Sequence, residues 1–369
     1  MPDMRLHMRA LLLAAVAATA SCLATAAAVP QPLDARVEAP APAPRTNWAL
    51  AAAADANGTA IFAFYGMGPD KHREAITREV RAYDPAARRW RALPPLPVAQ
   101  GRLASAAVRI GGAIYVVGGY TVAANASERS TAQVLRFDPR SGSARAVAHM
   151  PVPVDDSVAL AWRDRWLVLV SGWHDDGNVR DVQFYDTRTR RWRLGTPWPG
   201  EPVFGHAGGL VGDTLVVCDG VTATLAARGR HRYALTDACW RGTLDPAHPG
   251  TIAWQTLPPH PGVPLYRAAA TGTTLGGARV LFAGGSTRAY NYDGLGYDGL
   301  PAPAAAGVFA YDVAARRWTA CAPLPVASMD HRALVEAGGR FFLLGGMRDP
   351  QRVSAEGLSF APPRCTAAP

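Results

Sequence analysis

The octapeptide YDPAARRW at 83–90 returns as YDTRTRRW at 185–192 and as YDVAARRW at 311–318. Three spaced copies of Tyr-Asp, four residues and Arg-Trp mark one supersecondary unit used repeatedly along the chain. About thirty residues downstream of each copy, an apolar strand ends in glycine. AIYVVGGY ends at Tyr120, WLVLVSGW at Trp173, RVLFAGGS at Ser286 and FFLLGGM at Met347. TLVVCDG, ending at Gly220, and AIFAFYGMG, ending at Gly68, are degenerate versions. The glycines 66, 118, 172, 220, 284 and 345 follow one another at intervals of roughly fifty to sixty residues.

That period, with four short strands per unit, is the signature of kelch blades in a β-propeller. The strand before the glycines is buried on both faces, so it reads as a continuous apolar run. The glycines permit positive φ where neighbouring blades crowd at the axis. In Tyr-Asp-x4-Arg-Trp, Tyr ends the third strand, Asp-Pro or Asp-Thr turns the chain, and Trp opens the fourth strand and packs between blades. Trp90, Trp192 and Trp318 are therefore read as structural. Blade two keeps the turn as FDPRSG without the Trp, and blade four, the most divergent, has Trp254 in the equivalent place. After Met347 there is room for only one further strand, VSAEGLSF, so the sixth blade lacks its outer strand. Residues 33–39 are expected to supply it and close an all-β, six-bladed ring, leaving no free sheet edge.

The first residues read as an address. Arg5 and Arg9 precede the apolar run ALLLAAVAATA, and small residues follow in LATAAA. This is the layout of a secretory signal peptide over 1–28, with cleavage expected between Ala24 and Ala28. TASC, ending at Cys22, resembles a lipoprotein site less well, since Thr19 stands where Leu is usual. An exported protein, periplasmic or secreted and not membrane-spanning, is the expectation, with 29–365 as one propeller domain and 366–369 as a short tail. Cys218, Cys239, Cys321 and Cys365 then permit two disulfides in three pairings. Cys321 with Cys365 is preferred because it would tie down the tail. The net charge of +9 comes from dispersed arginines, with no basic block and no interleaved aromatics, which argues against nucleic acid.

In a propeller, ligands sit at the channel mouth, on loops around the innermost strands. The links into the six first strands align Arg45, Arg102, Asp156, His206, Arg267 and Arg332. Four guanidiniums at one opening would attract an anionic or polyhydroxylated small molecule or glycan. The same arginines can equally anchor loop carbonyls. His206 and Asp156, standing where Arg is usual, could serve general acid–base chemistry, with His331 beside Asp330 as a further titratable group. A second tier of loops carries Tyr120, Trp173, Asp219 and Arg288. His174-Asp175-Asp176 reads better as a solvated turn than as a metal site, because three consecutive residues converge poorly on one ion. The insert YNYDGLGYDGL at 290–300, with Tyr290 and Tyr292, suits either a sugar-stacking lid or a loop packed on the rim.

TPWPGEPVFGHAGG at 196–209, RVLFAGGS followed by the Asn/Tyr/Gly-rich insert, and the early strand that closes the ring together resemble the kelch-type sialic acid mutarotases of the N-acetylneuraminate epimerase family. The resemblance covers most of the chain after residue 28. It implies cofactor-free acid–base chemistry at an anomeric centre: a base takes the hydroxyl proton, an acid protonates the ring oxygen, and the sugar opens and recloses. The family's catalytic Glu would stand at Val221, and its following Arg falls near Arg228, Arg230 or Arg232 without a clean match. Acid–base work would therefore pass to Asp219, His206 or Asp156. The same face could instead bind glycan or protein without catalysis. Copper-radical galactose oxidases share the architecture, but their Tyr-His ligand pattern is missing from the sequence.

Overall fold

A computed structural model describes residues 30–226 and 230–368. The expected signal peptide, with Cys22, and the candidate Arg228 lie outside the described residues. Six four-stranded antiparallel units stand around one axis as a kelch β-propeller. Blade one, for example, is Thr46–Ala54, Thr59–Met67, Val80–Asp84 and Arg89–Leu93. Blade six consists of Val335–Ala337, Arg340–Leu344 and Gly357–Phe360, and its outer strand is Ala35–Glu38. The ring thus closes where residues 33–39 were expected to close it. Buried Glu38 locks this closure by accepting hydrogen bonds from Tyr83 Oη and Ser359 Oγ, both at 2.5 Å.

The repeated octapeptide explains itself in the register. Tyr83 lies directly opposite Trp90, Tyr185 opposite Trp192 and Tyr311 opposite Trp318. The paired rings are 5.0, 5.0 and 5.1 Å apart. Between them the Asp carboxylate accepts backbone N–H groups of the turn, as Asp84 does from Ala86 and Ala87. Arg88, Arg190 and Arg316 each take positive φ, the position that Gly142 fills in blade two. Two of the indoles also tie blades together, since Trp90 donates to Ala39 O and Trp318 to Pro258 O.

The second strands are buried along most or all of their length, completely so in Trp166–Val170 and Thr214–Cys218. A Cβ on Gly118 would lie 2.4 Å from Val154 O, and one on Gly284 2.5 Å from Ser328 O. Glycine is required there because the link into the following blade crosses the strand end. Disulfides join Cys218 to Cys239, which are directly opposed on neighbouring strands, and Cys321 to Cys365. The latter bond holds the chain end as Thr366–Ala367 adds a fifth strand to blade five. Among the described residues no helix is long and apolar enough to cross a membrane.

Candidate functional site

Each link ends in a residue of left-handed conformation: Asn47, Ala104, Asp156, Gly205, Arg267 and Asp330, with φ between 49° and 66° in every case. The residue before each one bridges to the end of the second strand, as Asp155 does to Trp173 and Phe204 to Val221. Backbone hydrogen bonds run from link to link around much of the axis: Asp156 N to Ala104 O, Gly205 N to Asp156 O, Arg267 N to Gly205 O and His331 N to Arg267 O. Structural equivalence therefore differs from the sequence alignment of the links at four of six blades. Arg45 and Arg102 stand two residues before the ring position, His206 one after it and Arg332 two after it.

At the ring position the polar side chains neutralise one another. Arg267 donates from Nε and Nη2 to Asp156 Oδ2 at 3.1 and 2.5 Å, and from Nη1 to Asp330 Oδ1 at 3.0 Å. Arg332 Nη1 donates to the other oxygen of Asp156. Asn47 bridges Asp330 and the Ala104 N–H. The Arg267 guanidinium lies over the rings of Tyr266 and Tyr290, 4.7 and 5.2 Å from their centroids. Tyr290, fully buried, also donates to Asp330. Burial alone would raise the Asp156 pKa, but Arg267 and Arg332 outweigh it and hold the carboxyl below its ordinary value. This plug of two acids and two guanidiniums divides two cavities, since Asp156 and Arg267 line both.

On one side of the plug is the central channel, a cavity of about 360 Å³ lined by small residues of the inner strands together with His206, His331 and Arg332. His206 is buried with Nε2 against Val170 O at 2.8 Å, and His331 pairs with Ser328 Oγ at 2.8 Å. Desolvation lowers both imidazoles to about 4.

On the other side is the mouth pocket, of about 220 Å³. Tyr120, Trp173, Phe204, Tyr233 and Tyr297 form its walls, and Glu128, Asp155 and Asn291 add polar groups. Tyr297 comes from the 290–300 insert and stacks on Tyr233 at 3.9 Å. The insert thus reaches over the mouth. Lys71 pins it from blade one by donating to Asp293 O at 2.5 Å.

Asp155 Oδ2 accepts from Ser130 Oγ at 2.6 Å. Burial, and then the neighbouring Asp156 charge, push its carboxyl well above the usual carboxylate range. Glu128, at the rim, has no hydrogen-bond or ion-pair partner for its carboxylate among the described residues. The pocket walls raise its pKa, against the opposing pull of Arg267.

The remaining candidates sit apart from the mouth pocket. Asp219 pairs with buried His260, Nε2 at 2.9 Å, and lines neither cavity. Burial raises its pKa, against the hydrogen bond from His260. Arg45 donates to Pro44 O and Glu79, Arg102 to Gln133, and Arg288 to Asp298. Tyr292 packs with Met67, Leu103 and Tyr120 beneath the insert. Val221 is buried at a bridge to Phe204, while Arg230 and Arg232 are exposed on the hairpin that follows. Asp175 and Asp176 form the tip of a two-residue hairpin, and Asp175 accepts from Ser130 N. Glu128 and Tyr233 went unnoticed in the sequence because no spacing singles them out. Asp155 carried a usable signal: its register otherwise holds Thr46, Leu103, Phe204, Tyr266 and Met329.

Comparison with known proteins agrees with the architecture. The kelch motif matches residues 101–151. Kelch-like protein 15 of Gallus gallus is 24% identical over 143 residues, which is 39% of this chain and 27% of that protein. The Homo sapiens protein of the same name is 24% identical over 143 residues, 39% of this chain and 22% of that protein. The matched region thus spans about a quarter of these relatives' length. The solved structure of YjhT superposes with a TM-score of 0.66 at 16% identity, over 85% of this chain and 94% of that one, a likeness of fold.

Proposed function

We propose that this kelch propeller is an exported, carbohydrate-directed protein whose mouth pocket binds a monosaccharide-sized ligand and catalyses its mutarotation or epimerisation without a cofactor. One observation carries the reading: two carboxyls, Glu128 without a partner among the described residues and Asp155 buried against Ser130, face the same aromatic-walled cavity. Aromatic faces stack on the apolar faces of sugar rings, and Asn291 offers a donor and an acceptor to hydroxyls. Export is supported by the leader-like first residues and by two disulfides, which persist in oxidising compartments.

The acid–base roles expected of His206, Asp156 and Asp219 pass in this reading to Glu128 and Asp155. Glu128, unpaired and at the rim, takes the proton of the anomeric hydroxyl. Asp155, kept protonated by burial, gives its proton to the ring oxygen, so the C–O bond to the ring breaks and a carbonyl forms. The open chain rotates and recloses with the proton transfers reversed. Carboxyl groups tuned upward toward neutrality are what such transfers need. Asp156 has a supporting role: its charge raises Asp155 and fixes Arg267.

The test is NMR anomer exchange on a panel of monosaccharides. Faster exchange than in a protein-free control is expected, falling about a hundredfold or more in Glu128→Gln and Asp155→Asn. Exchange equal to the control would remove the catalytic claim. If sugar resonances then still shift on addition of protein, the second reading holds, a non-catalytic glycan-binding module using the same pocket.

A further inference from the structure

We propose that the mouth pocket selects a ligand bearing an ammonium group, which among sugars means an aminohexose with a free amine rather than an acidic sugar. This rests on reading the mouth pocket as the ligand site.

The sequence put four link guanidiniums at one opening, which suggested an anion. Of those four, only Arg267 lines the mouth pocket, and all three of its nitrogens are already engaged by Asp156 and Asp330. Arg45 and Arg102 turn away to Glu79 and Gln133, and Arg332 lies on the channel side of the plug. Among the described residues that line the pocket, a ligand carboxylate would therefore meet the Glu128 charge and no unengaged cation. The electrostatic cost would be like-charge repulsion in a partly desolvated site.

An ammonium group meets the opposite conditions. The π faces of Trp173, Tyr233 and Tyr297 present negative quadrupole to a cation, and aromatic cages recognise alkylammonium groups in this way. Glu128 lacks a partner of its own, and Asp155 has one oxygen committed to Ser130. An ammonium group supplies three N–H donors that the Glu128 carboxylate can accept. Among the described residues, the Glu128 charge thus lacks a cation.

Trp173 reports occupancy through its fluorescence, so the intact protein can be titrated at pH 6 with D-glucosamine, D-glucose, D-glucuronate and tetramethylammonium. Glucosamine is expected to bind about tenfold or more tightly than glucose, with glucuronate weakest and tetramethylammonium competing with glucosamine. Glu128→Gln should bring glucosamine and glucose to within about threefold of each other, while the melting temperature stays at the wild-type value. Tighter binding of glucuronate than of glucosamine overturns the inference and leaves the sugar reading standing. Quenching by tetramethylammonium alone, with every sugar silent, supports the ammonium site and overturns the sugar reading. Silence from all four probes overturns both.

Discussion

Asp155 and Asp156 are chain neighbours, both almost fully buried, and their carboxyls behave in opposite ways. Asp156 turns into the plug, meets two guanidiniums and stays ionised. Asp155 turns into the mouth pocket, meets one serine hydroxyl and is driven toward its protonated form. Burial is the same for both; the difference is the partner. In the plug the fold has satisfied its own charges, so that side of the pair is architecture. In the pocket it has left acids without an ionic partner among the described residues, and a binding or catalytic site needs that.

The sharpest way to break this contrast is to remove the plug's central cation. Arg267→Leu leaves the buried Asp156 and Asp330 with Arg332 as their one shared cation among the described residues, and one-sided removal of a buried pair costs about 3–5 kcal/mol. Denaturant unfolding should show that loss as a lower midpoint with an unchanged slope. The double variant Asp156→Asn/Arg267→Leu should recover part of it, because one orphaned charge is gone. A single variant as stable as wild type would mean that the plug is not holding the links together.

Acidification probes the plug's channel side with a somewhat smaller effect. His206 and His331 are held to about 4 by desolvation, against about 6.5 in an unfolded chain. Below the unfolded value the unfolded chain binds more protons than the folded protein does. The stability they contribute is therefore complete above pH 6.5 and is lost as pH falls through 4, a matter of a few kcal/mol. Asp156 favours the protonation of His206, and Asp330 that of His331, but desolvation outweighs both, and Arg332 and Arg348 lower His331 further. Thermal melts between pH 7 and 4 should fall steadily, and His206→Asn should flatten part of the slope. A pH-independent melting temperature over that range would count against neutral, buried imidazoles.

The architecture was almost wholly legible in the sequence, because a repeat repeats its physics. Tyr83 with Trp90, the diglycines and the closing strand each follow from local rules applied six times over. The site was legible only in part. Aligning the links by their arginines assumed that side-chain identity marks position, whereas the invariant is the left-handed backbone shared by Asn47, Ala104 and Gly205, which no charged residue announces. Asp156 and Arg267 were found because they occupy that position. Their mutual neutralisation was invisible, since it depends on links 111 residues apart meeting at the axis. Glu128 belongs to a ragged hairpin extension of blade two, where sequence carries no period at all.

The finest test of the contrast is Asp155→Asn, where the expected change in stability is of the opposite sign. Asn keeps the size of the side chain and an oxygen to accept from Ser130, and it has no charge to desolvate. A carboxyl whose folded pKa is raised contributes stability that is present below its unfolded value and lost as pH rises through the folded one. The wild type therefore bears a penalty at pH 7 that Asn removes, and the variant should melt higher than the wild type at pH 7. Near pH 3 both residues are uncharged and the gain should vanish. Asp156→Asn is the internal control: its wild-type carboxyl is depressed by Arg267 and Arg332, so its replacement must destabilise at pH 7 and matter less in acid. Should both substitutions destabilise alike, Asp155 would be one more structural acid, and the pocket would lose the group that distinguishes it from the plug.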